Sequence, residues 1–152
     1  MTPGLSKTVA LCSLLLSLWL AGTAACATQG VQRDYMLNCQ GCHLDNGVGF
    51  PQRGVPRLTG YMGKFLHVPG GRAFLVQVPG SAQSSLSNER LAGLLNWMLA
   101  SFSPSEVPGN FKPYSAAEVG ALRLHPLVAV TAKRTALVQQ IENNMPRNSA
   151  LE

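Results

Sequence analysis

The chain has 152 residues, 46% of them hydrophobic, and carries 12 Lys and Arg against 7 Asp and Glu, a formal charge of +5. This length suits one ordinary domain, and so apolar a composition excludes an extended disordered chain. The cations are scattered rather than gathered into a stripe, which argues against a nucleic-acid partner.

The first element is a leader. Lys7 precedes an apolar run from Thr8 to Ala21, and small residues follow from Gly22 to Ala27, the layout of a secretory signal peptide. The run is too short to span a bilayer comfortably. Ala25-Cys26-Ala27 fits a small-x-small cleavage site, so residues 1–27 are expected to be removed and the mature chain to start near Thr28 in the periplasm. Cys26 also fits a lipoprotein signal, although Thr23 is a poor match to the aliphatic residue such signals carry. Membrane attachment is expected only if Cys26 is lipidated. Loss of Lys7 leaves 11 cationic against 7 acidic residues, or +4.

The mature chain shows hardly any strand signal and reads as all-α: one helical domain over residues 28–126, then a C-terminal helix and polar tail over 127–152. A first helix is expected from about Val31 through Cys39-Gln40-Gly41-Cys42-His43. Two thiols three residues apart followed at once by an imidazole form the attachment sequence for covalently bound haem c. Cys39 and Cys42 supply the thioether bonds, and His43 is placed to bind the iron from the proximal side. Rival readings lack their parts. A zinc site needs further Cys or paired His, but outside the motif there are only Cys12 and Cys26 in the leader and the solitary His67 and His125. A thioredoxin-like pair would follow a strand, whereas Asp34 to Asn38 reads as a helix entrance.

From Asp45 to Gly63 the chain is crowded with Gly and Pro and is expected to wrap the haem edge as an irregular loop. Gly70-Gly71 and Pro79-Gly80 bracket Arg72 to Val78, which fits either an apolar helical turn or a short extended piece. A helix N-capped by Ser87 carries Leu91, Leu94, Leu95, Met98 and Phe102 on one face and stops at Pro104. Ser115-Ala116-Ala117-Glu118 is a capping box opening a third helix towards Pro126. A further amphipathic stretch runs from Leu127 to about Ile141.

These residues resemble the class I c-type cytochromes, small all-helical electron carriers with the haem motif on their first helix. The likeness covers roughly Gly30 to Leu124. Its specific part is Cys39 to His43; Asn96-Trp97-Met98 and the run from Val107 to Tyr114 are looser. That run stands where the family usually carries a Met-Pro loop before its closing helix, and here Val107 takes the methionine's place. The sixth iron ligand is therefore sought elsewhere. Met36 is too close to the motif and Met145 lies in the tail, which leaves Met98, Met62, His67 and His125 as donors. Met98 is preferred, because by the resemblance its helix crosses the distal side of the haem; Met62 and His67 are the alternatives. Trp97 and Phe102 suit haem-pocket packing. Tyr61, Tyr114, Arg57 and Arg72 are candidate partners of the propionates.

The expected function is single-electron transfer between exported redox proteins by a periplasmic monohaem cytochrome that is not itself an enzyme. The positive surplus fits an acidic redox partner. The donor is expected to be such a protein or a periplasmic dehydrogenase, the acceptor another cytochrome or a terminal oxidase. Two alternatives stand beside this. One is a haem protein with an open or displaceable sixth position, suited to gas binding or peroxidatic chemistry. The other is a haem subunit docked to a dehydrogenase through the helix over Leu127 to Ile141.

Overall fold

The computed structural model describes residues 30–144; the leader, with its cleavage site, Cys12 and Cys26, and the tail with Met145 lie outside that range. Within it the elements are helices, three 3-10 turns and one isolated antiparallel bridge, Phe50 to Val55. Residues 30–38 form α1. It is followed by α2 (Gln40–His43), α3 (Gly71–Gln77), α4 (Pro79–Ala82), α5 (Asn88–Phe102), α6 (Ala116–Arg123) and α7 (Val130–Asn144). An all-α fold is what the absence of alternating apolar residues implied.

Helix α5 is the spine of the molecule. The Ser87 hydroxyl accepts a hydrogen bond from Arg90 N at 3.3 Å, and Ser103 and Pro104 close the other end. Leu91, Leu94, Leu95, Met98, Leu99 and Phe102 are all buried. Each such side chain withdrawn from water contributes about 1.5–3 kcal/mol of transfer free energy. Asp34 and Arg90 pair α1 with α5, and the rings of Tyr35 and Trp97 lie 5.5 Å apart. Tyr35, Trp97 and Phe102 form one aromatic cluster.

The opposite flank of α5 holds α6 through Asn96, whose side chain donates to Tyr114 O at 3.0 Å and accepts from Tyr114 N at 2.8 Å. The Ser115 hydroxyl caps α6 by accepting from Glu118 N at 3.2 Å. The reciprocal half of the expected capping box is not made. Instead Glu118 turns to Arg72 on α3, which donates to both carboxylate oxygens at 2.5 and 2.7 Å.

Residues 71–77 are helical, which decides between the two conformations open to them. Gly70 adopts φ 83° and turns the chain. At Gly71 a Cβ would sit 1.9 Å from Phe65 O, so only glycine lets α3 lie this close to the 3-10 turn Met62–His67. The rings of Phe65 and Phe74 stack there at 5.1 Å. That 3-10 turn is an element the breaker-rich sequence around it concealed.

The apolar face of α7 is spent inside the protein. Leu137 and Ile141 are 0% and 3% exposed and belong to the same core as α5. Leu127 N also donates to Gln77 O at 2.9 Å. A docking helix over this stretch would have to give up those contacts.

Candidate haem-attachment site

The expected continuous first helix is broken at Cys39, with φ −130° and ψ −40°, and restarts at Gln40. The hydrogen bonding nonetheless bridges the break, since Cys39 N donates to Tyr35 O and His43 N to Cys39 O, both at 2.9 Å. Cys39 is half-buried against the core and Cys42 is exposed. Before haem attachment, burial, reinforced by the negative charge of Asp34, pushes the Cys39 thiol up to about 11.

The orientation of His43 is the most informative feature of the site. Its ring Nδ1 lies 3.1 Å from Pro56 O. A carbonyl oxygen only accepts, so Nδ1 carries the proton and the lone pair resides on Nε2, the atom a metal would take. Desolvation lowers the imidazole pKa, partly opposed by the Pro56 hydrogen bond, a shift towards the neutral form that a metal binds.

Pro56 O is aimed by the loop before it. Leu44, the one non-glycine residue with positive φ among the described residues, at 64°, directs its carbonyl to accept from Tyr35 Oη at 2.5 Å. Gly49, with φ 62°, donates its N–H to His43 O at 3.1 Å. A Cβ at Gly49 would meet Pro56 O at 2.7 Å and Val55 O at 2.8 Å. Reciprocal hydrogen bonds between Phe50 and Val55, of 3.0 and 3.1 Å, close the loop. The carbonyl that holds the imidazole is thus set chiefly by backbone, with the Tyr35 and Thr59 hydroxyls donating to the carbonyls of Leu44 and Asn46. Sequence reasoning missed Pro56. Its one signal was the proline that ends the glycine-rich stretch after the motif.

Among the candidate distal donors, the structure brings Met62 and Met98 into one buried core, 3% and 6% exposed. It leaves His67 outside, with Nε2 2.8 Å from Glu106 O. His125 and Met36 are exposed. The segment from Val78 to Ser87 between α3 and α5 contains neither thioether nor imidazole. It is tied down by Arg123, a residue the sequence did not single out. That guanidinium donates to the carbonyls of Ala82 (3.0 Å), Ser84 (2.6 Å) and Leu86 (2.8 Å) and to Asn88 Oδ1 (3.2 Å).

Two propionate candidates are corrected. Arg72 is spent on Glu118 and on Lys112 O at 2.7 Å, and lies 4.1 Å over the Tyr114 ring. The Tyr114 hydroxyl donates to Arg72 O at 2.8 Å. Both serve the α3–α6 contact. Tyr61 is half-buried, edge-on to Phe65, and Arg57 is exposed with Nε donating to Thr59 O at 2.8 Å.

Two thiols three residues apart and an imidazole with Nε2 left available are the donor set that haem c requires. Among the described residues no group of three His, Cys, Asp or Glu gathers into a rival metal site. No protein-family model matches the chain. A cytochrome c-552 of Thermus thermophilus is 30% identical to it over 145 residues, covering 82% of this chain and 96% of that protein. A second cytochrome c-552 from Thermus thermophilus is 31% identical over 119 residues, covering 65% and 90%. With nearly the whole of such a relative matched, and the attachment motif folded as its chemistry demands, the chain belongs to the class I c-type cytochromes and carries one covalently bound haem c.

Proposed function

We propose that this chain is a periplasmic carrier of single electrons between exported redox proteins, receiving them from a dehydrogenase or another acidic donor and passing them to a further cytochrome or a terminal oxidase. The observation that carries the reading is the His43 ring held through Nδ1 by Pro56 O. A neutral imidazole so clamped keeps one geometry while the iron, when haem is bound, cycles by one electron. The half-buried Cys39 and exposed Cys42 anchor the porphyrin at its edge. The helical core around α5 excludes water on the other side of the anchor, which tunes the potential. No helix among the described residues is long and apolar enough to cross a membrane.

Met98 is the sixth ligand in this reading. It is buried on a 15-residue helix, a stiffer support than the short 3-10 turn that carries Met62. The experiment is redox titration and optical spectroscopy of the mature holoprotein. A reversible one-electron couple, and a far-red thioether band lost in Met98→Ala but kept in Met62→Ala, are the expected results. Retention of the band in Met98→Ala ends the assignment. Intact mass of the exported protein, starting near Thr28, checks the leader; a lipid on Cys26 would place the protein on the membrane instead.

A second reading has its own support. The stretch from Val78 to Ser87 offers no donor and is pinned by Arg123. A core methionine displaced easily by a small molecule would leave a gas-binding or peroxidatic protein. Carbon monoxide added to the reduced protein separates the readings, since a fast and complete spectral change favours the second.

A further inference from the structure

We infer that the loop from Phe50 to Arg57 is the docking edge of this cytochrome and takes an acidic redox protein whose carboxylates surround an apolar centre. The inference rests on the carrier reading and names the partner of the same site. Pro51, Gln52, Arg53 and Gly54 form an exposed tip, and Phe50 keeps 38% of its surface in solvent. The Arg53 guanidinium lies 5.8 Å over the Phe50 ring. Among the described residues Arg57 spends only Nε, on Thr59 O, and its two terminal nitrogens have no partner there. Neither arginine has a carboxylate within ion-pair distance among the described residues.

Three of the other guanidiniums among the described residues are differently employed, whereas Arg33 on α1 is exposed and lies over no aromatic ring. Arg72 and Arg90 are paired with Glu118 and Asp34, and Arg123 is bound to backbone. Lys133 and Arg134 on α7 share their helix with Glu142. The loop's own carboxylate, Asp45, stands at its far end, six residues before the 3-10 turn Pro51–Arg53. A guanidinium over an exposed aromatic, with a second exposed guanidinium at the end of the same loop, matches a carboxylate-rimmed apolar patch, because guanidinium binds carboxylate bidentately and Arg with aromatics anchors interfaces. The tip is also rigid, through the Phe50–Val55 hydrogen bonds, and joins through Pro56 directly to His43. A preorganised surface binds with little ordering cost. In the transfer itself one electron leaves the reduced donor and reduces the ferric protein, with no bond made or broken.

The test uses holoprotein and two probes of reaction rate, hexacyanoferrate as an anionic reagent and a reduced acidic [2Fe–2S] ferredoxin as a protein donor. Arg53→Glu/Arg57→Glu is compared with Lys133→Glu/Arg134→Glu, which changes net charge equally on another face. The loop variant is expected to slow both probes about tenfold at low ionic strength, an effect that fades with salt, while the α7 variant changes little. Phe50→Ala is expected to slow the ferredoxin and leave hexacyanoferrate unaffected. Equal slowing in the two charge variants overturns the proposal. So does a shifted potential with an unchanged salt response, which assigns the arginines to the haem. Binding of wild type to anionic phospholipid vesicles that the loop variant loses also overturns it, in favour of a membrane. Failure of the carrier reading is distinct, since the wild type would then show no reversible couple.

Discussion

Two segments of similar irregularity are held in opposite ways. The loop between His43 and Leu58 is shaped chiefly by its own backbone, through glycines at positive φ and the Phe50–Val55 pair, with hydroxyls of Tyr35 and Thr59 donating to it. The segment from Ala82 to Asn88 is held by one distant side chain, Arg123 of α6. A backbone-built loop resists most side-chain changes but fails where a Cβ intrudes. A segment hung on one guanidinium tolerates change in its exposed residues, though not at the buried Leu86, and fails when the anchor goes.

The largest effect is expected at Gly49. Gly49→Val forces a branched side chain into φ 62° with its Cβ against Pro56 O, costing about 2–4 kcal/mol. It also moves the carbonyl that orients His43, so the yield of mature haem-bearing protein should collapse; Pro56→Ala keeps that carbonyl and should mature. Haem staining of the purified proteins reads the difference, and normal maturation of Gly49→Val would break the comparison.

Arg123→Ala comes next. It strips the anchor from four acceptors and should cost about 2 kcal/mol. Hydrogen exchange should accelerate over residues 82–88 and stay unchanged over 44–58. Acceleration in both segments would show that they are not independent.

Smaller again is the Arg72–Glu118 pair, whose side chains are 32% and 31% exposed, so that solvent screening leaves it worth about 1 kcal/mol or less. The hydrogen bond from Arg72 holds the Glu118 carboxyl below its ordinary value of 4.5. The pair therefore contributes stability above that value, and the contribution is lost as pH falls through the lowered folded pKa. The difference in thermal midpoint between wild type and Glu118→Gln should be full at neutral pH and vanish in acid. A difference that persists in acid would show that Glu118 acts other than as a carboxylate. Ser87→Ala should cost about 1 kcal/mol by removing the α5 cap, visible in the urea midpoint with no change in the haem spectrum.

The features legible in the sequence were those written locally. Cys39, Cys42 and His43 are near neighbours and name their cofactor by spacing. The caps at Ser87 and Ser115 and the apolar periodicity of α5 mark their helices within a few residues. The tertiary structure decided what depends on residues far apart. Pro56 lies thirteen positions from the imidazole it holds, and Arg123 lies 35 to 41 positions from its acceptors. Arg72 resembled a propionate partner until Glu118, 46 residues away, was seen to hold it. That Met98 and Met62 share one buried core, while the His67 ring is exposed beside Glu106 O, likewise follows from packing and not from spacing along the chain. Periodicity and short motifs follow from bonds along the chain, whereas a carbonyl's aim or a guanidinium's partner follows from which surfaces meet on folding.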